Sequence, residues 1–224
     1  MPRLSAAEAT VETLLQHGLD TVYALPGLHN DPLFDAFYHA ADRLRVIHPR
    51  HEQTAAYMAL GAALVTGKPQ AFAVVPGPGM LNAGAALLTA YGMNAPVIGL
   101  IGQIPQADID RGHGHLHEIR DQLGMMRHIT KWAERIRSPQ EAPTLVSQAI
   151  WQATSGRPRP VALECALDTW AKRADVTLPA SPLALPIEAI DDEAITAAAK
   201  ILGAAERPII VVGGGALDAS DGVI

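Results

Sequence analysis

Glu52 is the one carboxylate among four short segments that are rich in glycine and proline and that follow predicted strands. These segments are residues 26–30, 49–52, 76–79 and 102–103. Ligands of open parallel sheets bind at the carboxyl ends of strands, so we expect the four segments to meet at one rim. Glycine lets the backbone come close to a ligand there. The pattern predicts a small-molecule site with a single acidic group.

The position of Glu52 at the start of an apolar helix permits two interpretations. A carboxylate in the first turn complements the helix dipole and can simply lie in solvent. Alternatively, it hydrogen-bonds a ligand nitrogen in a dry pocket, where its protonation can be tuned. Position alone favours the first interpretation, and the residues by themselves leave both open.

The stretch from Gly77 to Asn82 follows a strand and opens a helix. Its sequence, Gly-Pro-Gly-Met-Leu-Asn, is similar to the G-x-G-x-x-G fingerprint of dinucleotide binding, with Asn82 in the place of the third glycine. The acidic residue that such a site needs after the next strand is absent, because Gly102 and Gln103 stand there. A nicotinamide site is therefore disfavoured, and a tight strand-to-helix turn is the simpler interpretation.

Three histidines, His113, His115 and His117, alternate with other residues in a glycine-rich stretch. Histidines two apart can share a metal ion. This stretch lacks a predicted strand or helix that would fix the rings, so we predict no metal site and a mobile loop at the edge of the site.

Composition narrows the class of protein. Of the 224 residues, 49% are apolar and 4% aromatic, which predicts a folded chain with an aliphatic core. The net charge of −6 without a basic cluster disfavours a nucleic-acid binder. The single cysteine, Cys165, excludes an internal disulfide and a thiolate zinc cage, and we expect it in the core. The N-terminus has no apolar signal core and no run approaches eighteen uninterrupted apolar residues, so we expect a cytoplasmic setting.

Helices and short apolar strands alternate along the chain, which predicts an α/β fold with a parallel sheet flanked by helices on both faces. The predicted helices are residues 5–18, 31–41, 52–66, 82–91 and 139–154. The predicted strands are residues 21–25, 44–48, 71–75, 97–101, 129–137 (an edge strand) and 161–165.

The proline-rich end of this pattern predicts a domain boundary. We assign residues 1–172 to an N-terminal domain, 173–188 to a linker and 189–224 to the incomplete start of a second α/β domain. That start comprises a helix over 191–205, a buried strand over 208–212 and a turn at 213–215. Because one helix and one strand cannot close a core, we expect the chain to be an N-terminal fragment.

An ordered series of motifs resembles the N-terminal, pyrimidine-binding domain of thiamin diphosphate enzymes of the acetolactate synthase and benzoylformate decarboxylase group. The resemblance covers residues 4–168, and it rests on the series rather than on any one motif. The motifs are Gly18-Leu19-Asp20-Thr21-Val22-Tyr23 before Pro26-Gly27, Arg50-His51-Glu52-Gln53 with Ala55-Ala56, Gly67-Lys68, Gly77-Pro78-Gly79 with Asn82, Asn94-Ala95-Pro96-Val97, Gly102-Gln103, Thr130-Lys131 and Arg157-Pro158-Arg159-Pro160-Val161.

The resemblance implies that Glu52 contacts N1′ of the aminopyrimidine and favours the imino tautomer that deprotonates the cofactor's C2. It further implies that Pro26, Gly27, Gly79 and Asn82 are neighbours of the cofactor or its pocket. His29 and His117 are candidates for proton transfer in catalysis or, equally, for rim histidines.

The cofactors implied are thiamin diphosphate and Mg²⁺, the metal being held by a Gly-Asp-Gly motif in a C-terminal domain that this chain does not contain. FAD occurs in the middle domain of some members of the group, and nothing here supports it. The implied partners are a 2-oxo acid and further subunits of a homo-oligomer with the active site across the interface, with no nucleic acid and no membrane.

Three departures from the acetolactate synthase pattern favour a different 2-oxo acid or acceptor: Leu28 after Gly27, Leu116-His117-Glu118 in place of Phe-Gln-Glu, and Gly61-Ala62-Ala63-Leu64 in place of Gly-Tyr-Ala-Arg. Two alternatives remain open. One is a short subunit of a split 2-oxo acid decarboxylase, and the other is a non-catalytic nucleotide-binding module.

Overall fold

The computed structural model describes residues 1–181 and 189–222 of the chain. The chain divides into two compact units, Met1–Leu185 and Pro186–Ile224. Much of the predicted linker, residues 182–188, lies outside the described residues.

A six-stranded parallel sheet forms the centre of the first unit, with the strand order β3-β2-β4-β5-β7-β6. Its strands are β2 (Thr21–Ala24), β3 (Arg45–Ile47), β4 (Gln70–Val74), β5 (Val97–Gln103), β6 (Trp132–Ile136) and β7 (Val161–Ala166). Strands β5 and β7 are buried along their whole length, as expected for a sheet covered on both faces.

Helices cover both faces of this sheet, which confirms the predicted fold class. They are α1 (Ala6–Gln16), α2 (Asp31–His39), α3 (Glu52–Thr66), α4 (Pro78–Gly92), α5 (Gln122–Ile129), α6 (Ala142–Thr154) and α7 (Leu167–Ala171). One hydrophobic core contains residues of α1, α2 and α6, and the other contains residues of α3, α4 and α5. Successive residues of β4 alternate between the two cores, because side chains of a strand point to opposite faces.

Local sequence signals fix several helix ends where they were predicted. Ser5 and Glu8 form a capping box: the Ser5 hydroxyl accepts the Glu8 N–H at 3.0 Å, and the Glu8 carboxylate accepts the Ser5 N–H at 2.7 Å. Gly67 ends α3 in the left-handed conformation, with φ of 66°. Helix α3 thereby has the predicted bounds, and its first residue is Glu52.

Two elements differ from the prediction in ways that matter for the site. Helix α4 begins at Pro78 rather than Asn82, because Gly77 adopts φ of 56° and lets the chain turn directly from the strand into the helix. Residues 173–175, assigned to the linker, form strand β8 (Arg173–Asp175), which pairs antiparallel with β1 (Arg3–Ser5). This pairing joins the beginning of the unit to its end.

The second unit contains helix α8 (Asp192–Ala204), for which Asp191 accepts the Ala194 N–H at 2.9 Å as predicted for a cap. The predicted buried strand over 208–212 is wrong: these residues form no strand, and Val211 is 90% exposed. The described residues of this unit provide no neighbouring strand to pair with it. Among the described residues, no helix has the length and apolar character needed to cross a membrane.

Candidate active site

The turns that follow β2, β4 and β5 meet at one rim of the sheet, as the sequence predicts. Asn30, which is fully buried, donates from Nδ2 to the Val74 carbonyl at 2.8 Å. The amide oxygen of the same side chain lies so close to Gly102 that a Cβ there would collide with it. Asn30 therefore fastens the segment after β2 to the ends of both β4 and β5.

Gly77 has no room for a side chain. Its φ of 56° lies in the left-handed region, and a Cβ there would stand 2.5 Å from the His117 carbonyl oxygen. His117 itself has φ of 67°, which a residue other than glycine rarely adopts and which often marks a functional site. The loop carrying His117 thus packs backbone to backbone on the turn before α4.

A buried glutamine that the sequence analysis did not single out supports this turn. The Oε1 atom of Gln122 accepts the Gly77 N–H at 2.9 Å, while its Nε2 atom donates to the Gly102 carbonyl at 3.0 Å. The Gly77 N–H is consequently engaged within the protein and does not face a phosphate. This contact weighs against the dinucleotide-type use of the Gly77 turn.

Glu164 carries the buried charge behind the same turn. Its carboxylate is fully buried and accepts Gln122 Nε2 at 2.9 Å and Gln103 Nε2 at 3.3 Å. Arg135 of the edge strand β6 forms an ion pair with it. A buried carboxylate needs such a full set of donors to offset the loss of hydration. We refer to Gln103, Gln122, Arg135 and Glu164 together as the buried network.

Glu52 is half-buried at the first position of α3. Its Oε2 atom accepts Asn82 Nδ2 at 3.0 Å, which links the beginnings of α3 and α4. Glu52 does not cap helix α3. The His51 ring does so, by accepting the Gln53 N–H at 3.1 Å. Within the described part of the chain the second carboxylate oxygen, Oε1, has no hydrogen-bond partner and is free for a ligand.

The two candidate pocket glycines pack against the protein itself. A Cβ on Gly27 would lie 2.6 Å from Val75 Cγ1, and one on Gly79 would lie 2.8 Å from Val75 Cγ2. Because both residues lack a side chain, the turns that carry them pack directly against Val75. Pro26, beside Gly27, is exposed at the same rim.

His29 and His117, far apart in the sequence, stack on one another. Their ring centroids are 5.0 Å apart with an interplanar angle of 23°. The Nδ1 atom of each ring is buried without a hydrogen-bond partner in the described part of the chain. Unpaired buried polar atoms are costly, so their presence in a rim loop points to a ligand.

The pKa of His29 is lowered, first because burial disfavours the imidazolium and then because His117 adds like charge. A hydrogen bond to the Leu116 backbone and the charge of Asp31 oppose this shift. The geometry therefore favours a neutral His29 ring, which can accept a proton near neutral pH.

An open cavity of about 310 Å³ lies along the loop that leads to His117. Glu52, Asn82 and His29 do not line it. Glu52 is itself only half-buried, so a ligand can reach its side chain from outside the unit. The residues around the cavity are Asp110, Arg111, Gly112, Gly114, Glu118 and Arg120.

Residues 4–125 match the family described as "Thiamine pyrophosphate enzyme, N-terminal TPP binding domain". Over 219 residues the chain is 36% identical to the probable 2-ketoarginine decarboxylase AruI of Pseudomonas aeruginosa. It is 32% identical over 229 residues to the mitochondrial acetolactate synthase catalytic subunit of Saccharomyces cerevisiae. It is 34% identical over 217 residues to the oxalyl-CoA decarboxylase of Escherichia coli.

These similarities extend along nearly all of the chain but only part of each relative. They cover 97%, 98% and 92% of the chain, respectively. The chain spans 39%, 33% and 37% of the lengths of the same three relatives.

Proposed function

The chain belongs to the thiamine pyrophosphate enzymes, as their N-terminal TPP binding domain, and we propose that it activates the cofactor in a decarboxylase or carboligase of 2-oxo acids. The observation that carries this proposal is Glu52, whose carboxylate is held on one oxygen by Asn82 and is free on the other. Two of the relatives are named as decarboxylases, which favours loss of carbon dioxide as the reaction.

The residues at the rim fit an aminopyrimidine ring. Glu52 offers a half-buried carboxylate oxygen, the partner that a protonated ring nitrogen needs. Asn82 is exposed beside it and fixes the direction of that oxygen. Pro26, Gly27 and Gly79 lie on the turns at the same rim, where we propose that they border the cofactor.

Thiamin diphosphate, when bound, supplies the nucleophilic carbon and accepts the electrons that decarboxylation releases. In our proposal Glu52 holds a proton between its Oε1 atom and the pyrimidine nitrogen N1′. Proton transfer by such a positioned carboxylate contributes a factor of about 10² to 10⁴ to rates.

His29 and His117 are proposed to move a proton to or from the substrate side of the site. The stacked rings place two titratable groups together, and each has a free Nδ1 atom. A neutral His29 can take up a proton that the substrate releases. The lowered pKa of His29 supports its neutral, proton-accepting form.

The exposed side of α3 and α4 supports a subunit interface next to Glu52. Tyr57 and Leu64 on α3, and Leu81 and Leu88 on α4, are each seven residues apart and therefore share one helix face. All four are at least 38% exposed. We propose that a second subunit covers this apolar stripe and closes the open side of the Glu52 site. The diphosphate and Mg²⁺ are then held by another domain of the complete enzyme.

Replacing Glu52 by glutamine tests the proposal directly. In the complete enzyme, Glu52→Gln should slow deuterium exchange of the cofactor's C2 proton by about 10²-fold or more, because the amide cannot hold the N1′ proton as the carboxylate does. Exchange is measured by quenched-flow mixing and NMR of the released cofactor.

Asp35→Asn is the matched control, since Asp35 is an exposed carboxylate on α2. It should leave the exchange rate unchanged. A Glu52→Gln enzyme that folds normally and exchanges as fast as the parent would overturn the assigned role.

A further inference from the structure

Asp108, His113 and His115 bring three metal-ligating atoms together on the loop after β5. These atoms all lie within 4.8 Å of one another. His113 Nδ1 is 3.8 Å from one Asp108 carboxylate oxygen, and His115 Nε2 is 3.5 Å from the other. We propose that the three side chains form a binding site for a divalent transition-metal ion, with Zn²⁺ as the type ion.

The donor set selects the class of ion. Two imidazole nitrogens and one carboxylate oxygen suit Zn²⁺, Ni²⁺ or Cu²⁺, whereas Mg²⁺ and Ca²⁺ prefer oxygen ligands alone. Zn²⁺ binds nitrogen and oxygen at about 2.0–2.2 Å in tetrahedral geometry, so its ligand atoms stand about 3.3–3.6 Å apart. The observed separations need only small side-chain rotations to reach that value.

The loop is held more firmly than its sequence predicts. The Glu118 carboxylate accepts the backbone N–H groups of Gly112, Gly114 and His115 at 2.9, 2.6 and 2.9 Å. This one side chain therefore supplies the support whose expected absence led the sequence analysis to predict no metal site. It also sets the direction in which His113 and His115 leave the backbone.

The proposed ligand atoms are accessible to solvent. The three side chains are 28–52% exposed, so an ion can reach them and keep a water molecule as its fourth ligand. Within the described part of the chain the two rings have no ionic partner other than Asp108. The ion would join Asp108 to His115 across the loop that ends at His117, without involving Glu52 or His29. The three ligands are distinct from the residues that carry the proposed function.

Titration of the untagged 224-residue chain with Zn²⁺ tests this site, read by competition with a chromophoric chelator. We expect one Zn²⁺ per chain and no competition by a tenfold excess of Mg²⁺. His113→Gln and His115→Gln should each weaken the binding at least tenfold, and Asp108→Asn should do the same. Zn²⁺ should also slow tryptic cleavage after Arg111, which is exposed inside the loop.

His39→Gln provides the matched control, because His39 lies 3.6 Å from Asp35 as an exposed histidine–aspartate pair that has no third ligand among residues 1–181 and 189–222. It should leave Zn²⁺ binding unchanged. Zn²⁺ binding that survives in the double variant His113→Gln/His115→Gln, or that is lost in His39→Gln, would overturn the proposal. So would the lack of saturable binding by the parent chain.

Discussion

Single residues at the rim combine two features that stability alone does not require. His117 adopts a left-handed backbone conformation, and its ring stacks on the buried His29 with an unpaired Nδ1 atom on each ring. Both features cost free energy in the folded chain. Their presence side by side is typical of a site that uses them for binding or proton transfer.

The buried His29 makes stability depend on pH. Its pKa is lowered in the folded chain, so the unfolded chain binds more protons as the pH falls below about 6.5, and stability is lost on acidification. The free energy of unfolding should therefore fall less between about pH 7.5 and pH 5.5 in His29→Gln than in the parent chain. Urea unfolding at both pH values measures it, with the exposed His39→Gln as control. An equally steep pH dependence in His29→Gln would contradict this prediction.

At the scale of elements, the buried network connects the ends of four of them. Glu164 on β7 receives Arg135 from β6, Gln103 from β5 and Gln122 from α5. Gln122 also accepts a hydrogen bond from the Gly77 N–H and so links Glu164 to the turn at the start of α4. The edge strand β6, which touches only β7 in the sheet, is thereby tied to the rim that carries the site.

Removing the charge of Glu164 should destabilise the fold strongly. Glu164→Gln leaves the Arg135 guanidinium, whose side chain is 15% exposed, without its counter-charge, and breaking a buried pair costs about 3–5 kcal/mol. Glu134 lies next to Arg135 on β6, and Glu134→Gln removes the partly exposed partner of Arg127, which should cost less than about 1 kcal/mol. Urea unfolding gives both values, and similar losses for the two variants would contradict the argument.

The elements that were predicted well carry their signals locally. Helix α3 has the predicted bounds because a glycine in the left-handed conformation ends it, and α1 begins at a capping box. The strand over 208–212 was wrong because an apolar run specifies a strand only when a partner strand is present.

The site could be predicted only in part, because only some of its features are marked by local sequence signals. Glu52 and the glycine turns are visible as residues after strands, and the resemblance supplied His29 and His117 as candidates. Their stacking, and the support that Gln122 gives to Gly77, join residues more than forty positions apart. No local pattern marks such contacts, because they arise only when the sheet has formed.

At the scale of the whole first unit, helices α3 and α4 present exposed apolar side chains at a regular spacing. The apolar stripe lies on α3 and α4, the two helices that also carry Glu52 and Asn82, and Leu64 and Leu88 are 45% and 54% exposed within it. The buried alanines of both helices belong to the same core, so the two helices pack on one face of the sheet. Such a surface on a folded unit is typical of a contact with another subunit.

A charge in this stripe should separate the subunits of the complete enzyme. Leu64→Asp/Leu88→Asp is expected to lower the mass found by sedimentation velocity to that of a monomer or smaller assembly, because burying two carboxylates without partners is costly. Tyr38→Asp, at a 76% exposed position on α2, should leave the mass unchanged. An unaltered assembly in the double variant would place the interface elsewhere.

The contact between Gly77 and the loop that carries His117 has a consequence for which substitutions the fold tolerates. It is the carbonyl of His117, not its imidazole, that rests on the glycine. The packing of this loop on Gly77 therefore does not depend on the side chain at position 117. The left-handed backbone there also accommodates asparagine, aspartate or glycine. Exchanges in this short loop can therefore replace the side chain at position 117 while the sheet beneath it keeps its structure.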